Sequence, residues 1–146
     1  MASYKHILIT SDLSDSSIIL CQKASALAGL LNAKLSIIHI VEHLPLMYAG
    51  GEFALPLDPK LEEELADEAL INLHKQVTYH HIDKKDQYVI VGDKKEEIKA
   101  FVIEHHVDLT VVGAHDRHGL DYILGTTADN MLHALPCDML AIKVDE

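Results

Sequence analysis

Arginine occurs once in this chain, at Arg117, and 12 Lys and Arg residues stand against 23 Asp and Glu, for a formal charge of -11. A surface of that sign repels phosphate backbones and anionic headgroups, so neither nucleic acid nor a membrane is expected as a partner. Cysteine occurs only as Cys21 and Cys137, without Cys-x-x-Cys spacing. Buried free thiols are expected, and a disulfide framework or redox motif is not. No apolar run reaches the roughly 18 residues that a membrane span requires. The start, MASYKHILIT, has no basic region, long apolar stretch or small-residue cleavage site of a secretory signal, so a cytoplasmic protein is expected. Internal repeats, low-complexity tracts and linker-like stretches are missing as well. Residues 1–146 therefore read as one domain, of a size that buries about two thirds of its unfolded surface and needs no disulfide or metal.

What the chain does contain is two alternating periods. Short runs rich in β-branched residues at 5–10 (KHILIT), 34–41 (KLSIIHIV), 87–91 (QYVIV), 108–112 (DLTVV) and 138–144 (DMLAIKV) read as five strands. Between them apolar residues recur at helical spacing: Leu20, Ala24, Leu27, Ala28 and Leu31; Leu61, Leu65, Ala69 and Leu73; Ile98, Phe101, Val102 and His105; Ala128, Met131, Leu132 and Leu135. Four amphipathic helices are predicted. Asp58 before Pro59 and Asp93 with Glu96 supply helix-start chemistry, and Pro136 ends the last helix. Strands alternating with helices imply a parallel sheet, because each helix carries the chain back to begin the next strand on the same side. The fold class is a single-domain, Rossmann-like α/β sandwich. One segment, 42–58, is longer than most loops of compact domains. It carries Leu44, Leu46, Met47, Tyr48, Phe53 and Leu55, an apolar content that favours packing as a lid or interface over solvation.

Ligands of open α/β sheets sit at the carboxyl ends of strands where the strand order reverses. The residues placed there are Ser11 to Ser16 after strand one, Ile40 and Val41 after strand two, Gly92 and Asp93 after strand three, and Gly113 to Asp116 after strand four. From the last of these the chain runs through Arg117, His118, Gly119 and Asp121 to Gly125, Thr126 and Thr127 and into the final helix.

HILITSDLSDSS, NAKLSIIHI, VDLTVVGAHDRHGL and GTTADNMLHALPCDMLAIKV, in that order, resemble the corresponding blocks of the universal stress protein family along essentially the whole chain. The resemblance implies a parallel sheet in the order 3-2-1-4-5, a homodimer, and membership of either the ATP-binding or the non-binding branch. The family's nucleotide pattern is glycine, two residues, glycine, nine residues, glycine and a serine or threonine. Glycines of this kind let backbone N–H groups approach phosphate oxygens, and the final pair opens a helix. On this pattern Gly113 matches the first glycine, and Gly125 and Thr126 match the terminal pair, with Thr127 beside them. His115 and Asp116 lie within the loop. The resemblance also implies that Asp12 contacts base or ribose and that the backbone at Ile40 frames adenine. Two departures stand out: Asp116 replaces the second glycine, and eight residues instead of nine separate it from Gly125. A shorter, acidic loop is a poorer anion cradle, although His115, Arg117 and His118 offset its charge and Gly119 restores some freedom. Two readings stay open. One is a regulatory module binding ATP or a related adenine nucleotide, with or without Mg; the other is a nucleotide-free, dimeric interaction protein.

Other constellations carry less. His115-x-x-His118 with Asp116 and Asp121 matches no strong zinc spacing, so loop histidines are expected and no metal. His80-His81 and His105-His106 sit at a connection and at a helix end, where an imidazolium suits the dipole. Asp12, Asp93 and Lys143 resemble a phosphoacceptor set only superficially, since the first strand ends on a single acid and Asp93 has a capping role. No nucleophile elbow or carboxylate pair marks a hydrolase, and slow nucleotide turnover would need none. Glu62, Glu63, Glu64, Asp67 and Glu68 read as a solvated helix face. Met139, Leu140, Ile142 and Val144 lie on a strand expected at the sheet edge, where open backbone groups invite a second copy of the chain. A homodimer through this last strand is expected.

Overall fold

The computed structural model describes residues 3–42, 59–78, 80–114, 131 and 133–144. The chain runs through β1 (His6–Thr10), α1 (Ser16–Leu31), β2 (Lys34–Val41), α2 (Pro59–Val77), a 3-10 turn (Lys84–Asp86), β3 (Gln87–Val91), α3 (Lys94–Glu104), β4 (Leu109–Ala114) and β5 (Asp138–Lys143). All strand pairs are parallel, in the order β3-β2-β1-β4-β5. Ile9 sits opposite both Ile37 and Val111, which makes β1 the centre of the sheet.

Successive residues of a strand face opposite sides, and the two layers of core follow from that alternation. Ile7, Ile9, Ile37, Leu109 and Val111 pack with Leu20, Cys21 and Ala24 of α1 and Leu73 and Val77 of α2. Leu8, Ile38, Ile40 and Val112 pack on the other face with Ile98, Phe101 and Val102 of α3 and with Met131. Local chemistry sets the ends of the elements. The α1 helix stops at Asn32, whose left-handed backbone (φ 53°) turns its N–H toward Ala28 and Gly29. The Asp93 carboxylate accepts from the Glu96 N–H at 3.0 Å and starts α3. The Asp108 carboxylate accepts from the backbone N–H groups of Lys5 and His6, tying the start of β1 to the entrance of β4.

Several boundaries differ from expectation. The fourth strand continues two residues beyond Val112, because Gly113 and Ala114 find register partners in Ile142 and Lys143. Gly113 is thus the penultimate residue of β4 and does not follow it. β1 begins at His6, and β5 ends at Lys143. Of the four helices expected, three are complete. Of the fourth, Met131, His133 and Ala134 are described and helical, and Leu135 N–H donates to Met131 C=O at 3.0 Å. In α2 only the second half meets the sheet: Ala69, Leu73 and Val77 are buried, whereas Leu61 and Leu65 are 40% and 39% exposed. A helix of this length runs about 28 Å against five-residue strands of about 17 Å, so its first turns overhang. Asp58 and residues 43–58, the greater part of the segment read as a lid or interface, lie outside the described residues.

Candidate functional site

Strand order reverses between β1 and β4, and the chain leaving β1 there forms a compact polar turn. Ser11 N–H donates to Ile38 C=O, and His39 Nδ1 donates to Ser11 C=O at 2.8 Å, fixing the turn to β2. Ser17, buried in the first turn of α1, accepts from the Ser11 hydroxyl and the Asp12 N–H and donates to Asp12 Oδ1 at 2.9 Å. Asp12 Oδ1 also accepts from the hydroxyl and the N–H of Ser14. Burial pushes the Asp12 carboxyl up, but the hydrogen bonds from Ser14 and Ser17 outweigh it and hold the group below its ordinary value. Asp12 is therefore an anion at neutral pH, and its Oδ2 accepts no hydrogen bond among the described residues. The turn passes through Leu13 at φ 64°, a left-handed conformation uncommon for such a side chain. Gln76 of α2 holds it there, its Nε2 donating to the carbonyls of Leu13 and Ser14 at 2.9 and 3.0 Å.

This turn forms one wall of a cavity of about 290 Å³ at the carboxyl ends of the central strands. Thr10, Ser11, Asp12, Ser16, Ser17 and Leu20 line it from β1 and α1; Ile38 and Ile40 from β2; Val112 and Gly113 from β4; Lys94 and Ile98 from α3; and Val144 from just beyond β5. Among the described residues the cavity combines apolar side chains able to cover a flat ring, hydroxyls, the Asp12 carboxylate and Lys94. Its position is the one that the strand reversal dictates.

Three of the residues singled out from sequence, Asp12, Ile40 and Gly113, are brought together around this cavity. His115, Asp116, Gly125, Thr126 and Thr127 lie outside the described residues, as do Arg117, His118, Gly119 and Asp121. Lys94 and Ser17 line the cavity and Gln76 braces it, yet sequence reasoning missed all three. Lys94 could have been found as the first residue after the Gly92-Asp93 turn that ends β3, and Ser17 as the hydroxyl one helical turn after Leu13. Gln76 carries no local signal. Asp93 is occupied as the α3 cap. Cys21 and Cys137 are both free. Among the described residues no cluster of His, Cys, Asp and Glu is arranged to hold a metal ion, and no helix is long and apolar enough to cross a membrane.

A parallel sheet in this order, with a mixed polar and apolar crevice at its reversal point, defines a Rossmann-like α/β fold. The model of the universal stress protein family matches residues 3–143, and the chain belongs to that family. Universal stress protein A homolog 1 of Coxiella burnetii is 36% identical over 143 residues, which cover 98% of this chain and 99% of that protein. Among solved structures, the universal stress protein UspA of Lactobacillus plantarum superposes with a TM-score of 0.73 at 20% identity, over 97% of this chain and 99% of that one. A universal stress protein in complex with cAMP superposes with a TM-score of 0.60 at 21% identity, over 97% and 98%.

Proposed function

We propose that this chain is a cytoplasmic stress-response regulatory module that binds ATP or a related adenine nucleotide in the cavity between β1 and β4. The carrying observation is the convergence of Asp12, Ile40 and Gly113 on one cavity at the point of strand reversal. The ionised Asp12 keeps Oδ2 for hydroxyl donors such as those of a ribose. Ile38, Ile40 and Val112 offer apolar surface to a base, and Gly113, which lies beyond Val111, the last residue of β4 in register with β1, brings no Cβ to hinder a close approach. A protein of the same fold has been solved with cAMP, itself an adenine nucleotide. Bound nucleotide acts as a signal by favouring one arrangement of the crevice over another, and so one exposed surface over another. No step of this reading requires a catalytic base.

The same reading includes a homodimer along β5. This strand pairs with β4 on one side only, which leaves its other edge at the border of the sheet. Leu140 is 36% exposed there, whereas Ile142 and Val144, at 7% and 1%, point into the protein's own core. The expected surface is therefore the β5 edge with Leu140, and not the Ile142 and Val144 side chains.

The deciding experiment denatures purified protein, removes the chain and assays the supernatant for adenine by absorbance and mass. With no Trp and 5 Tyr the chain absorbs weakly, so carried-over nucleotide stands out. Released nucleotide, or a rise in melting temperature with added Mg-ATP, supports the reading. The absence of both overturns it in favour of a nucleotide-free dimer acting through its surfaces.

A further inference from the structure

Lys94 occupies the first turn of α3, half-buried, in the wall of the cavity that Asp12 also lines. It forms no ion pair among the described residues, although the chain carries nearly two acids for every base. The nearest acid in sequence, Asp93, is committed to the Glu96 N–H. Among the described residues the cavity is thus lined by one acidic and one basic residue from different elements, Asp12 from the turn after β1 and Lys94 from α3. The carboxylate of Asp12 accepts hydroxyl donors, and the ammonium of Lys94, on a flexible four-carbon stem, meets an anion. A molecule with hydroxyls at one end and a phosphate at the other satisfies both. An uncharged nucleoside satisfies only the first.

We propose that Lys94 is the specificity-determining residue that makes this cavity select nucleoside phosphates over nucleosides, by contacting the phosphate from the α3 wall. The inference rests on the nucleotide reading above and goes beyond it. The anion contact then comes from α3, outside the 113–127 stretch of sequence in which Asp116 replaces a glycine of the family's pattern. Among the described cavity residues Lys94 is the one cation, so it also offsets the repulsion between Asp12 and a phosphate.

The test is calorimetric titration of ATP, AMP and adenosine into the full chain, its Lys94→Gln and Lys94→Arg variants, and Lys95→Gln as a control at the exposed neighbouring position. A charge-assisted contact of this kind is worth about tenfold or more in affinity. Lys94→Gln is expected to weaken ATP and AMP by at least about that factor while adenosine changes less than about twofold. Lys94→Arg restores binding, and Lys95→Gln leaves it unchanged. Equal affinities of Lys94→Gln and Lys95→Gln for ATP and AMP overturn the role of Lys94 while leaving the nucleotide reading intact. A wild-type chain that binds none of the three ligands overturns both.

Discussion

Across the β1–β2 pair, His6 Nε2 and Ser36 Oγ lie 2.8 Å apart in the buried sheet. The other ring nitrogen, Nδ1, faces the His105 carbonyl at 2.9 Å and must carry a proton, because a carbonyl only accepts. Nε2 is then the acceptor of the neutral ring, and Ser36 donates to it. Desolvation lowers the His6 pKa below its ordinary 6.5, ahead of a raising contribution from the His105 carbonyl and a lowering one from Lys34.

Stability is accordingly expected to fall on mild acidification. The unfolded chain takes up a proton at His6 near pH 6.5 while the folded chain resists it, so the contribution of this group is present above about 6.5 and lost as pH drops below that value. Urea midpoints measured from pH 7.5 to 5 should decline, and His6→Asn, which keeps a polar group facing His105, should flatten the decline. An unchanged slope in the variant would show that His6 is not the responsible group.

Asp12→Asn separates the architecture of the turn from its charge. The amide oxygen still accepts from Ser14 and Ser17, so the melting temperature is expected to move by only a few degrees, within about 1 kcal/mol. Affinity for adenosine and for nucleotides alike should fall by about tenfold or more, as a charged acceptor is replaced by a neutral one. Calorimetry beside a thermal melt reads both quantities. A large loss of stability with unchanged affinity would make Asp12 a structural residue alone.

The two thiols should react at very different rates. Cys21 is 1% exposed, and burial pushes its pKa up to about 11. Cys137 is only half-buried, and burial raises its pKa while Thr110 partly counters the shift. A chromogenic disulfide reagent at pH 8 should modify one thiol in the folded protein and the second only on unfolding. Two equally fast modifications would contradict the packing of α1 on β1.

Two substitutions on the last strand distinguish edge from core. Leu140→Lys is expected to convert a dimer to monomer on gel filtration with the circular dichroism spectrum unchanged. Val144→Lys buries an unpaired ammonium and should cost several kcal/mol, lowering the melting temperature whatever the oligomeric state. A dimer that survives Leu140→Lys would remove the β5 edge as the interface.

The strand pattern was legible because it depends on local composition: KLSIIHIV and QYVIV begin and end as their β-branched runs do. Gly113 reads locally as a stop, yet β4 passes through it because Ile142 lies opposite, and pairing of that kind is invisible along the chain. The apolar stripe of α2 gave its correct face but not the overhang at Leu61 and Leu65, which depends on how long the neighbouring strands are. Asp12, Ile40 and Gly113 could be placed because the cavity follows from the strand reversal. Lys94 was passed over, since only its place after the Gly92-Asp93 turn sets it apart from the adjacent Lys95. Gln76, 63 residues from Leu13, acts only through tertiary contact.

The central place of β1 also bears on how the protein is made. One side of this strand can be filled as soon as β2 emerges, but the other waits for Leu109 to Val111, about 100 residues after β1 itself. At synthesis rates of about 5 to 20 residues per second, that is a delay of about 5 to 20 seconds. Throughout it Ile7 and Ile9 border an open sheet edge, the kind of surface to which chaperones and other nascent chains attach. Chains arrested before Leu109 are expected to be cut by protease near β1, and chains extended beyond Lys143 to resist. Equal resistance in both would mean that β1 and β2 are protected without β4.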